Sequence, residues 1–156
     1  MSKSLKRVKA ALEAAGLPPE VMAMSGLTRT AQQAADEAGC TVDQIAKSII
    51  FAADDGQTLL LFITAGGNQV DSAKATALAG LPLGKADAAI IRAQTGFAIG
   101  GVSPVGHLNP IRAFYDPRLL DFDVVYAAAG TPNHIFPIAP AKLQEIAGAT
   151  VGDFVS

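Results

Sequence analysis

Two apolar runs joined by a short polar turn constrain this chain more than any other feature. Ser48-Ile49-Ile50-Phe51-Ala52-Ala53 reads as a strand, Asp54-Asp55-Gly56 as a tight turn, and residues 58–65 as the returning strand. A Gly closing a pair of Asp residues, flanked by apolar runs, is the signal of a β-hairpin. Around it the periodicity is helical. Leu5, Val8, Leu12 and Ala15 recur on one helix face until Gly16 and Pro18-Pro19 stop the pattern. Thr30 is a good N-cap for a helix over 31–38 that Gly39 ends. Thr41 and Asp43 cap a short third helix carrying Val42, Ile45 and Ala46. Further helices are expected over 71–79 and over 87–95, the latter closed by Gly96. Phe97-Ala98-Ile99 reads as a short strand, as do 111–115, 123–129 and 135–138, with Asp116-Pro117 starting a turn and Pro140 opening a last helix. Strands separated by both hairpins and helices, without a βαβ rhythm, predict an α+β fold.

The 156 residues suit one domain, 1–156, without repeats or an interdomain linker. Aromatic content is 6% and Trp is missing, so Ala, Val, Ile and Leu must fill the core. A net charge of −2 argues against sequence-independent nucleic-acid binding, and against DNA as a partner, while leaving room for a protein that touches only the end of an RNA. Lys3, Lys6, Arg7 and Lys9 form the one basic cluster and read as a solvated helix face. Cys40 stands alone, so no internal disulfide forms, and the expected compartment is the reducing cytoplasm. The apolar stretches are too short to span a bilayer, so no membrane partner is expected.

Few residues offer chemistry. Lys47 stands before the apolar strand at an expected helix-to-strand junction. There it is either an ordinary snorkelling lysine or a point charge presented to a phosphate or carbonyl at a cleft. The loop Gly100-Gly101-Val102-Ser103-Pro104-Val105-Gly106-His107 must turn sharply and approach something closely. It is either a plain connection or a set of N–H groups able to hold an oxyanion. It lacks the spacing of a Walker phosphate loop. His107 and His134 are the only histidines, neither with a second ligand at helical spacing, so no metal site is expected. Ser103 precedes a Pro and lacks a nucleophile-elbow setting. These residues suit an enzyme that positions substrate and water, without identifying the reaction.

The runs Thr28-Arg29-Thr30-Ala31, Gln44-Ile45-Ala46-Lys47-Ser48, Thr95-Gly96-Phe97-Ala98-Ile99-Gly100-Gly101-Val102-Ser103-Pro104-Val105-Gly106-His107 and Ala128-Ala129-Gly130-Thr131-Pro132 are spaced over nearly the whole chain. In that order they resemble the YbaK/prolyl-tRNA-synthetase-associated editing family. Gly100-x-x-x-Pro104 is the most specific element. The resemblance implies an α+β fold around a twisted, partly closed mixed β-sheet flanked by helices. It implies a trans-acting deacylase that hydrolyses small wrong amino acids, such as alanine or cysteine, from tRNA for proline, without a cofactor. Its partners would be the aminoacyl-tRNA 3′ end and prolyl-tRNA synthetase. By the same resemblance Lys47 helps hold the 3′ end or the carbonyl. Gly100, Gly101, Val102, Ser103 and Pro104 grip the aminoacyl group and place the water, and Gly130 lines the pocket. Thr30, Asn68, Asp71 and His107 are candidates for its wall, although Thr30 also serves as an N-cap, Asn68 as a turn residue and His107 as a loop-stabilising hydrogen-bonder. Phe97, Ile99 and Val102 would form the sieve that small side chains require, since one methylene discriminates by only about 1–3 kcal/mol. A non-catalytic module that binds a synthetase or aminoacyl-adenosine is the alternative.

Overall fold

A computed structural model describes residues 2–25 and 30–156. The Thr28-Arg29 part of the first motif lies outside them. The chain runs α1 (Lys3–Ala14), β1 (Met22–Ala23), α2 (Ala31–Ala38), β2 (Ile45–Ala53), β3 (Leu59–Ala65), α3 (Ser72–Ala79), β4 (Leu83–Lys85) and α4 (Ala88–Thr95). Then follow β5 (Arg112–Tyr115), β6 (Val125–Ala128), β7 (His134–Ile138), α5 (Pro140–Ala147) and β8 (Thr150–Val151). One mixed sheet takes the order β1-β7-β6-β2-β3-β5-β8, with β4 on β2 beside β6. This is the expected α+β architecture, and its path stays open between β1 and β8.

The hairpin forms the centre. β2 and β3 pair antiparallel from Ala46↔Ala65 to Ala52↔Leu59. Its turn is held by Asp55, whose carboxylate accepts from the Gln57 and Thr58 amides at 2.8 Å and from the Thr58 hydroxyl at 2.7 Å. Those bonds, the Thr58 amide first, hold the Asp55 carboxyl below its ordinary range. β3 is buried along its whole length, which explains its unbroken apolar run. Its alternate residues serve two cores. Leu61, Ile63 and Ala65 join α1, Phe97 and Phe136, whereas Leu60 and Phe62 join α3, Phe114 and Phe154.

Helix ends follow local chemistry. Thr30 and Gln33 form a capping box on α2, and Gly39 ends it at φ 74. Asp71 and Asp87 cap α3 and α4. Two expected elements do not form. The helix expected over 42–46 is a single 3₁₀ turn, Val42–Gln44, because Ile45 and Ala46 pair with Tyr126 and Ala127 and become sheet. Lys47 therefore lies within β2, not at a junction. Residues 97–99 form no strand. They leave the Gly96 cap and turn, with the Gly101 amide donating to the Ala98 carbonyl at 3.0 Å. The basic face of α1 also needs correction: Lys3 and Lys6 are exposed, but Arg7 is half-buried and bonded to a distant loop. Cys40 is half-buried against Ala34, Ala35 and Ile45, and burial pushes its thiol pKa up. No helix among the described residues is long and apolar enough to cross a membrane.

Candidate active site: a cleft at a gap in the sheet

The outer edge of β2 is incompletely paired. β6 covers only Ile45 and Ala46, and β4 begins at Phe51, so residues 47–50 pair with β3 alone. Alternate residues of that stretch turn their backbone polar groups to the open edge. A cleft of about 390 Å³ lies over this gap. β2 supplies Lys47, Ser48 and Ile49, α2 supplies Ala34 and its cap Thr30, the 97–107 loop supplies Ile99, Gly100 and Val102, and the opposite wall is Tyr126, Thr131 and His134.

Lys47 is half-buried, and its ammonium has no ion-pair partner among the described residues. Burial lowers its pKa, opposed by the negative charges of Asp116 and Asp43. Asp116 is itself buried, accepting from the Ala65 amide at 3.1 Å, Asn68 Nδ2 at 2.9 Å and the Arg118 amide at 2.9 Å. Beside Lys47, the buried Ser48 Oγ has no partner among the described residues. Across the cleft, Thr131 Oγ1 and His134 Nδ1 share a 2.6 Å hydrogen bond that fixes the imidazole.

The glycine loop reaches the cleft through close backbone approach. Gly100 stands at φ 91, and a Cβ on Gly101 would lie 2.9 Å from the Thr131 backbone. The Gly101 amide is spent inside the turn, whereas the amides of Gly100 and Val102 have no protein acceptor among the described residues. Behind them Ser103 is fully buried and its Oγ accepts from the Val105 amide at 3.2 Å, so it is no nucleophile. The Ser103 carbonyl accepts from His107 Nε2 at 2.6 Å. A carbonyl only accepts, so the proton sits on Nε2 and leaves Nδ1 a lone pair, buried without a partner. Burial pushes the His107 pKa down, helped by the nearby Arg7 charge, while the Ser103 bond opposes it.

The expected residues divide accordingly. Lys47, Gly100, Val102, Ile99 and Thr30 meet at the cleft. Gly101 and Gly130 shape it from behind: Gly130, at φ 94, would bring a Cβ to 2.8 Å from the Ser4 carbonyl oxygen, and the Ser4 hydroxyl donates to its carbonyl at 2.6 Å. Phe97 is fully buried and so cannot serve as a sieve; its ring packs edge-on to His107 at 5.1 Å. Pro104 and His107 line a separate hollow on the far side of the loop. Asn68 is engaged with Asp116, and Asp71 caps α3, both outside the cleft. The residues that sequence reasoning missed are Ser48, Tyr126, Thr131, His134 and Arg7. His134 was weighed only as a metal ligand, although Thr131-Pro132-Asn133 before it is a turn able to aim it.

Arg7 is the loop's anchor. Its Nη2 donates to the Gly96 carbonyl at 2.7 Å, its Nε donates to the Gly106 carbonyl at 3.2 Å, and its guanidinium lies 5.2 Å from the Phe97 ring centroid. Both ends of the glycine loop are thereby tied to α1. Gly106, at φ 79, lets the backbones approach, since a Cβ there would sit 3.1 Å from the Arg7 carbonyl oxygen.

Comparison with known proteins places this geometry among relatives. A solved structure described as a proposed trans-editing enzyme for prolyl tRNA synthetase is 42% identical, with TM-score 0.92, over 100% of this chain and 99% of that one. The structure of the hypothetical protein APE2540 is 29% identical with TM-score 0.86, over 96% and 99% of the two chains. The protein YwhH of Bacillus subtilis (strain 168) is 28% identical over 148 residues, 95% of this chain and 94% of that protein. The family model described as the aminoacyl-tRNA editing domain matches residues 26–146, which span α2, the glycine loop and the His134 wall; the chain belongs to the aminoacyl-tRNA editing domain family.

Proposed function

We propose that the chain is a trans-acting deacylase that hydrolyses the ester between a small wrong amino acid, alanine or cysteine, and the 3′ end of tRNA for proline. The observation that carries this reading is that Lys47, Gly100, Val102 and His134 line one cleft, the Gly100 and Val102 amides having no protein acceptor among the described residues, in the aminoacyl-tRNA editing domain family. The likeness to a proposed prolyl trans-editing enzyme supports the choice of tRNA.

Water adds to the ester carbonyl, the 3′ ribose oxygen leaves with a proton, and free amino acid and tRNA result. The ester is already activated, so positioning and oxyanion stabilisation supply most of the acceleration. The Gly100 and Val102 amides are the donors for the developing oxyanion. Lys47 adds a positive charge at the same end. His134, held by Thr131, is the imidazole available to pass a proton between water and leaving oxygen, and Ser48 Oγ offers a further contact to the ligand.

The test separates turnover from binding. Prolyl tRNA mischarged with alanine, cysteine, serine or threonine is incubated with wild type, Lys47→Ala and His134→Ala. A non-hydrolysable alanyl-adenosine amide is titrated alongside. The expected result is release of at least one wrong amino acid by wild type and a loss of at least about tenfold in kcat/KM in each variant, the scale of one lost electrostatic or acid–base contribution. Binding of the amide without release of any amino acid would instead establish the non-catalytic module.

A further inference from the structure

The cleft continues past the glycine loop. A second hollow of about 440 Å³ shares Ser48, Ile49, Ile99, Gly100 and Val102 with the first, so the two are lobes of one trough. Ile99 stands on the border between them, 60% exposed. The first lobe contains Lys47, Thr131 and His134, whereas the second is walled by Phe51, Leu83 and Ile91 and ends at Lys85.

Strand geometry orders these groups. Lys47, Ile49 and Phe51 alternate onto one face of β2, with Lys47 and Phe51 separated by about 13 Å at ~3.3 Å per residue. Phe51 is the cross-strand partner of Lys85. Directly paired side chains start about 5 Å apart, so the Lys85 stem rises beside the Phe51 ring. Lys85 is exposed and has no ion-pair partner among the described residues. The trough thus presents, in order, a cation, an apolar side chain, a half-buried aromatic and a second cation.

That order suits single-stranded nucleic acid, in which planar bases lie on apolar and aromatic faces and phosphates meet cations. It also suits a chain of net charge −2, whose attraction for RNA has to be local. We propose that the second lobe is a subsite for the nucleotide immediately 5′ of the terminal adenosine, its base against Phe51 and Ile99 and its phosphate at Lys85. The proposal rests on the reading of the first lobe as the aminoacyl-adenosine site. It makes the trough a reader of two nucleotides, so that a tRNA end is distinguished from a free aminoacyl nucleoside.

Two non-hydrolysable probes test it by calorimetric titration. One is 3′-alanylamido-3′-deoxyadenosine, and the other is the 5′-phosphorylated cytidylyl dinucleotide that ends in the same group. In wild type the added nucleotide should tighten binding about tenfold or more, with a salt slope steeper by about 0.7 per phosphate neutralised. Lys85→Gln should lose most of that gain and the extra slope, and Lys85→Arg should keep both. The proposal is overturned by an equal gain in Lys85→Gln and wild type, or by no gain in wild type. Binding of the adenosine probe without a gain contradicts the second lobe alone. Failure of both probes to bind contradicts the first lobe's reading as well.

Discussion

At the residue scale, the site depends on side chains that touch no substrate. Arg7 ties down both ends of the glycine loop from residues 89 and 99 positions away in sequence. Two hydrogen bonds to carbonyls at ~1 kcal/mol each and a cation–π contact of ~0.5–1 kcal/mol make Arg7→Ala a loss of about 2–3 kcal/mol. Denaturant unfolding should show that loss. Deacylation measured where the variant is fully folded should show a lower kcat, because the Gly100 and Val102 amides lose their fixed positions. Arg7→Lys retains the charge over Phe97 without the planar fork and should recover only part of either effect. Sequence reasoning placed Arg7 on a solvated face because periodicity reports which side of α1 is apolar, not what a long half-buried stem reaches. His134 was hidden for a similar reason: its place opposite Lys47 comes from β6 and β7 pairing, not from local spacing. Lys47, Gly100 and Val102, singled out through short runs that resemble the editing family, line the cleft.

At the element scale, the parts encoded locally were read closely. The hairpin turn, the Thr30 cap and the Gly39 and Gly96 stops all rest on contacts within a few residues. β1, β4 and β8, two or three residues each, carry no periodic signal and exist because a neighbour pairs with them. The same competition turned Ile45 and Ala46 from expected helix into strand, and so moved Lys47 onto the free edge of β2. α2 depends more on its cap than on burial, with only Ala34 and Ala35 buried. Thr30→Ala should therefore cost about 1 kcal/mol in unfolding experiments and increase amide exchange in the first turn of α2. Since α2 forms one wall of the cleft, the same substitution should also weaken binding of the alanyl-adenosine amide.

At the scale of the whole molecule, burial of a neutral imidazole links stability to pH. The folded pKa of His107 lies below its ordinary value of 6.5. The unfolded chain therefore takes up the proton first as pH falls. His107's contribution is complete above about pH 6.5 and declines between that value and its lower folded pKa. Melting temperatures measured from pH 8 to pH 5 should fall over that window, and His107→Gln should flatten the difference. Protonation at Nδ1 leaves the Nε2 bond to the Ser103 carbonyl in place, so the melting fall reflects the cost of a buried charge beside Arg7.

The central claim is that this cleft removes a small wrong amino acid from tRNA and spares the correct one. Single-turnover release of alanine and of proline from the same tRNA for proline, with wild-type protein in excess, tests it most directly. The account predicts alanine release at least about tenfold faster than proline release, the discrimination a small apolar pocket supplies. Equal release of the two amino acids, or release of neither, would contradict it.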